Sequence, residues 1–159
     1  MRSGIQAFDL SGRTALVTGA AGLLGIEHSA ALMECGAHVV LTDLRQDALE
    51  RASQALRAAG HRGSLSVQAM DVTSPESIAK VAASLHTAGR RVDVLVNNAA
   101  IDPKVQADQV VEMSRLENMD LKDWNLQVAV GLTGAFLCTQ TFGSRMAADG
   151  QGGVILNIA

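Results

Sequence analysis

An apolar run, Ala15-Leu16-Val17, breaks into Thr18-Gly19-Ala20-Ala21-Gly22-Leu23-Leu24-Gly25 and continues as a helix-like segment from Ile26 to Cys35. A glycine turn between a buried strand and a helix is a device for holding a pyrophosphate. The first glycine allows the tight turn, the second lets the backbone approach the phosphates, and the third lets helix pack on strand. The helix start then presents free N–H groups and a partial positive charge to the anion. On this reading Gly19, Gly22, Leu23, Leu24 and Gly25 form a phosphate cradle.

The context strengthens the motif. Asp43 ends the next apolar run, Val39-Val40-Leu41-Thr42, and lies 18 residues beyond Gly25. A carboxylate at the tip of the second strand accepts hydrogen bonds from a ribose hydroxyl pair and repels a 2′-phosphate. Neither Ala20 nor Ala21 supplies a compensating cation, and Arg45, two positions past the acid, is as well placed to face solvent. The pattern favours NAD over NADP. Asp43 also reads as a helix N-cap before Gln46 to Ala59, a role compatible with the first.

Strand-length apolar runs alternate with helical periodicity along the whole chain. The expected strands are Thr14–Thr18, His38–Asp43, Leu65–Met70, Val92–Asn97 and Val154–Ile158. The expected helices are Leu23–Cys35, Gln46–Ala59, Pro75–His86 and Lys122–Ala148. Ser74 as N-cap, Pro75 at the first helical position and Ile78, Val81, Ala82 and Leu85 on one face define the third helix. Gly60 ends the second. Near-continuous hydrophobic strands imply a sheet covered on both faces. Right-handed crossovers then give an α/β fold, a Rossmann-type doubly wound parallel sheet of order 3-2-1-4-5. Residues 1–159 form one domain, with Ile101 to Met119 as a long loop or short extra helix.

Composition narrows the partners. With 48% hydrophobic and 18% charged residues and a net charge of −3, the chain is globular and lacks the basic run of a nucleic-acid or anionic-membrane binder. No apolar stretch reaches the length of a membrane span and no signal peptide is evident, so a cytoplasmic location is the expectation. The cysteines, Cys35 and Cys138, read as reduced core thiols, and the scattered histidines His28, His38, His61 and His86 give no metal site.

The turn, Asp43, Asp71-Val72 and Asn97-Asn98-Ala99-Ala100, taken together and in this order, resemble the short-chain dehydrogenase/reductase family. The resemblance implies that Asp71 and the Val72 amide read the adenine edge, and that Leu44 joins Asp43 in the cofactor site. It implies that Asn97 ties neighbouring strands and that Asn98, Ala99 and Ala100 border the nicotinamide ribose. Without it, Asp71 reads as a turn acid before Thr73, and the asparagine pair as a turn signal. Ala100 stands where the family has glycine. The Gly19-x-x-Gly22-x-x-Gly25 spacing is that of the family's extended branch, whereas the asparagine motif is that of its shorter enzymes.

The family moves its hydroxyl proton with a tyrosine made acidic by a lysine, beside a substrate-orienting serine. The chain contains no tyrosine. Gly152 to Ala159 resembles the fifth strand, which in the family leads into that serine. The expectation is therefore the cofactor-binding portion of a longer enzyme, truncated after the fifth strand and lacking a catalytic group of its own. The whole enzyme would interconvert a secondary alcohol and a ketone, as a homodimer or homotetramer built through the helix Lys122–Ala148. In that helix Asp120 and Asp123 cap the start, and Trp124, Val128, Phe136 and Met146 read as packing residues. Gly131 occupies the position of a family asparagine that relays protons. Close packing, or space for water and ligand, accounts for Gly131 and Gly134. Two other classes compete: a non-catalytic dinucleotide-binding or interaction module, and a methyltransferase using S-adenosylmethionine, against which Thr18 and Asn97–Ala100 speak.

Overall fold

A computed structural model describes residues 8–101 and 117–158. Its strands are β1 (Thr14–Thr18), β2 (His38–Asp43), β3 (Ser64–Ala69), β4 (Val94–Asn97) and β5 (Val154–Asn157). They form one parallel sheet in the order β3-β2-β1-β4-β5, the order expected of a doubly wound fold. The connecting helices are α1 (Leu23–Glu34), α2 (Gln46–Ala58) and α3 (Pro75–Thr87), followed by a long helix from Leu121 to Ala148.

Alternation along the strands sets the layers. Leu16, Val40 and Leu95 face one side, where Ile78, Val81 and Leu85 of α3 meet Cys138, Phe142 and Met146 of the long helix. Ala15, Val17, Val39, Leu41 and Val96 face the other, against Met33 of α1 and Leu49 and Leu56 of α2. Every residue of β1 is buried, as its unbroken apolar run requires. At β5 the cover thins. Ile155 packs on the first cluster, whereas Val154 and Leu156 are exposed.

Local signals behave as read for α3: Ser74 Oγ accepts from the Ser77 amide at 3.2 Å, with Pro75 at the helix start. Gly60, at φ +70°, closes α2 in the left-handed conformation that glycine adopts without strain. Burial pushes the Cys138 thiol up to about 12, in keeping with an inert core cysteine, while Cys35 is half-buried.

The long helix departs most from expectation. It begins at Leu121, with Asp120 Oδ1 accepting from the Asp123 amide at 2.7 Å. It is not uniformly α-helical: α4 (Leu121–Val128), α5 (Gly134–Cys138) and α6 (Ser144–Ala148) are separated by π turns at Ala129–Thr133 and Thr139–Gly143. Met146 is buried, but Trp124 and Phe136 are exposed and lie with Leu121 and Leu132 on the surface. Their spacing gives a stripe on the side turned from the sheet, so they are not packing residues of this core. β4 starts two residues later than Val92, and Asp93 before it pairs through its side chain with Arg13 and Arg91. Residues 102–116 of the expected 101–119 loop lie outside the described residues.

Among the described residues, no helix is long and apolar enough to cross a membrane. Nor do three His, Cys, Asp or Glu side chains gather where a metal ion would need them.

Candidate nucleotide-binding site

The glycine turn lies at the C-terminal edge of the sheet, between the tip of β1 and the start of α1. Gly19 has φ +62°, and a Cβ there would stand 2.9 Å from Ala99 Cα, so both conformation and space demand glycine. Gly25 is closer still: its Cβ would lie 2.2 Å from the Gly19 carbonyl oxygen. Gly22, the N-cap of α1, is exposed and offers no side-chain cap.

Backbone accounting shows what the turn leaves open. The Ala20 amide donates to Thr42 O at 2.9 Å, Gly22 to Gly19 O at 3.1 Å, and Ile26 to Gly22 O at 3.1 Å. Between the last two, the amides of Leu23, Leu24 and Gly25 are the first three of the helix and have no intrahelical acceptor. The Leu23 and Leu24 side chains are exposed, and no acidic residue occupies the first turn to neutralise those donors. The expected cradle is therefore a set of backbone N–H groups at the positive end of a twelve-residue helix.

Asp43 sits against this turn. Its Oδ2 accepts from the Ala21 amide at 3.2 Å and its Oδ1 from the Arg45 amide at 3.3 Å. The alternative role as a helix cap is not realised, since Arg45 occupies the N-cap of α2 without a side-chain hydrogen bond. Leu44 is exposed beside the acid.

Asp71 takes up the turn role. Its Oδ1 accepts from the Thr73 amide at 2.8 Å and the Thr73 hydroxyl at 2.7 Å, forming the turn, while Oδ2 stays outside that arrangement. The Asp71 amide donates to Ser77 Oγ at 3.0 Å. Among the described residues the Val72 amide between them finds no acceptor.

The asparagine stretch closes the other wall. Thr18 Oγ1 accepts from the Asn98 and Ala99 amides, both at 3.0 Å, and Asn98 Nδ2 donates to Thr18 O at 3.0 Å and Gly19 O at 3.2 Å. Sequence reading placed Thr18 only as the residue before the turn. A hydroxyl ending a buried strand was the available signal for this pin. Asn97 ties β4 to β5 through Nδ2, which donates to Asn157 Oδ1 at 2.8 Å, and reaches Thr139 Oγ1 at 3.1 Å. Its Oδ1 is buried without a protein partner among the described residues. Ala100 is exposed and its φ is not positive, so nothing in the backbone demands the family's glycine there.

At the C-terminal edge of the sheet the free amides of Leu23, Leu24 and Gly25 thus lie beside the Asp43 carboxylate, and Asp71 is followed by the free Val72 amide. The same residues match the model of the family described as short chain dehydrogenase, over residues 13–159.

The chain belongs to the short-chain dehydrogenase family.

Relatives within the family match nearly the whole chain. It is 34% identical to the D-threitol dehydrogenase of Mycolicibacterium smegmatis, over 96% of the chain and 54% of that protein. It is 32% identical to the NAD-dependent glycerol dehydrogenase of Listeria innocua, again over 96% of the chain and 54% of that protein. The crystal structure of a metagenomic short-chain oxidoreductase in complex with NADP matches with a TM-score of 0.78 at 32% identity, covering 94% of this chain and 62% of that one. The chain thus spans about half the length of these curated relatives.

Gly131 lies inside the first π turn. A Cβ there would meet nothing within 4 Å, so close packing does not account for this glycine. It does account for Gly134, which abuts Val72. A separate cavity of about 580 Å³, lined by Leu85, His86, Arg90, Val92, Phe142 and Arg145, opens at the opposite edge of the sheet. It is remote from the free amides, and volume alone gives it no chemistry.

Proposed function

We propose that this chain is the NAD-binding portion of a short-chain dehydrogenase that interconverts a secondary alcohol, of the polyol class, with its ketone. The observation that carries the reading is the row of unpaired amides at Leu23, Leu24 and Gly25 beside the Asp43 carboxylate. Three N–H donors at a helix start suit a diphosphate, and an adjoining carboxylate suits a ribose diol. The names of the D-threitol and glycerol dehydrogenases support the polyol class.

In this assignment Gly19, Gly22 and Gly25 shape the cradle, and Leu23 and Leu24 contribute amides rather than side chains. Asp43 holds the adenosine ribose, with Leu44 flanking it. Asp71 and the Val72 amide bind the adenine edge, and Asn98, Ala99 and Ala100 border the nicotinamide ribose. Bound NAD would supply the hydride acceptor. The residues here bind and orient it, and the chain has no tyrosine to move the hydroxyl proton.

Asp43 supports NAD over NADP, because a 2′-phosphate at that carboxylate would meet like charge. The exposed stripe Leu121, Trp124, Leu132 and Phe136 supports assembly as a homodimer or homotetramer, which light scattering of the purified chain measures as a mass above 16.6 kDa.

Calorimetric titration of the purified chain with NAD, NADP and S-adenosylmethionine tests the assignment. The expected order is NAD first, NADP weaker by about tenfold or more, and no saturable heat with S-adenosylmethionine. Tighter binding of S-adenosylmethionine than of NAD would replace the dehydrogenase reading with the methyltransferase one.

A further inference from the structure

We infer that Gly134 is a positioning residue for the adenine end of the bound nucleotide, acting through Val72. The inference rests on the nucleotide-binding reading above. The loop Asp71-Val72 follows β3, and the long helix crosses beside it. A Cβ on Gly134 would stand 2.8 Å from Val72 Cγ2, 3.0 Å from Val72 Cβ and 3.3 Å from Val72 O. Rotating the valine relieves only the first of these contacts. The other two involve atoms fixed to the backbone, so an added methyl group must displace either the loop or the helix.

The helix is the less mobile of the two. Asn97 Nδ2 grips it from the sheet, donating to Ala135 O at 3.4 Å and Thr139 Oγ1 at 3.1 Å. Cys138 and Phe142 anchor the following turns in the core. The loop's own hydrogen bonds are all short-range: Asp71 Oδ1 accepts from Thr73, the Asp71 amide donates to Ser77 Oγ and the Ser74 amide to Asp71 O, and none of them fixes the Val72 amide. Strain therefore moves Val72, and with it the free amide that pairs with the Asp71 carboxylate as the adenine reader.

The first π turn explains why glycine meets the loop at all. The Gly134 amide bonds to Ala129 O, five residues back, so one extra residue is wound into the helix. An inserted residue rotates everything after it by about 100° relative to an unbroken α-helix. That rotation turns Gly134, rather than a residue with a side chain, toward Val72. The helix thereby joins the two ends of the crevice, with Asn97 on one side and Val72 on the other.

The test compares two probes on the purified chain by NMR titration: ADP, which carries adenine and diphosphate, and inorganic pyrophosphate, which reaches only the cradle. Gly134→Ala should weaken ADP about tenfold, the scale of one or two lost hydrogen bonds, and leave pyrophosphate affinity unchanged. The double variant Val72→Ala/Gly134→Ala should recover ADP affinity to within about threefold of Val72→Ala, because the two changes are coupled through one contact. Gly131→Ala, the same substitution in open space on the same helix, should leave both affinities intact. Should Gly134→Ala fail to fold, Val72→Ile extends across the same gap from the other side and should weaken ADP alone. Equal ADP affinity in the wild type and in a folded Gly134→Ala or Val72→Ile, or parallel losses of ADP and pyrophosphate, overturns the positioning role. A wild-type chain that binds neither probe overturns the nucleotide reading beneath it.

Discussion

Gly25→Ala should remove nucleotide binding and destabilise the fold together. The new Cβ would lie 2.2 Å from Gly19 O, 2.7 Å from Ala20 Cα and 3.0 Å from Ala20 C, all backbone atoms of the turn itself. None of these is the end of a flexible side chain, so relief requires that α1 move off β1 or that the turn open. Both lift the Leu23–Gly25 amides out of alignment. Overpacking of this kind costs about 1–3 kcal/mol, and loss of several charge-directed hydrogen bonds weakens a diphosphate by about a hundredfold or more. Gly22→Ala separates the two effects: its Cβ meets only Gly19 O, at 3.3 Å, so the melting temperature should hold while NAD affinity falls. Thermal melts paired with NAD calorimetry check this, and a Gly25→Ala variant with wild-type values in both contradicts it.

Asp43→Ala should invert the cofactor preference. The carboxylate holds the Ala21 and Arg45 amides and, in the proposed complex, the ribose hydroxyls. Hydrogen bonds to a charged group contribute about 1.5–3 kcal/mol each, so NAD should weaken about ten- to a hundredfold. NADP should hold or tighten, since the variant no longer sets like charge against the 2′-phosphate, and Arg45 is exposed nearby. The ratio of the two dissociation constants is the readout. Parallel weakening of both cofactors would show that Asp43 acts by shaping the turn and not by reading the ribose.

The sequence made the layered fold legible because the strands are buried on both faces. Continuous apolar runs such as Ala15–Val17 and Val39–Leu41 have no other stable use, and the interposed amphipathic helices leave one connection rule. Glycine positions were equally legible, since Gly19 and Gly25 admit no side chain. The interior of the long helix was not. The π turns at Ala129–Thr133 and Thr139–Gly143 leave no distinct apolar period in residues 121–148. Trp124 and Phe136 were misread for a related reason: large apolar side chains report burial against something, but not against which surface. The Thr18 pin lay hidden because a threonine at a strand end has many uses, and only its approach to Asn98 and Ala99 selects one.

In the proposed complex the Leu23, Leu24 and Gly25 amides bind a diphosphate while Asp43 binds the adjoining sugar. Amide NMR of the isotopically labelled chain during NAD titration measures it directly. Saturable shifts centred on Leu23, Leu24, Gly25, Ala21 and Val72 are expected, with the first three reproduced by inorganic pyrophosphate. Saturation of NAD with those amides unmoved, or shifts gathered around Arg90 and Arg145 instead, would contradict it.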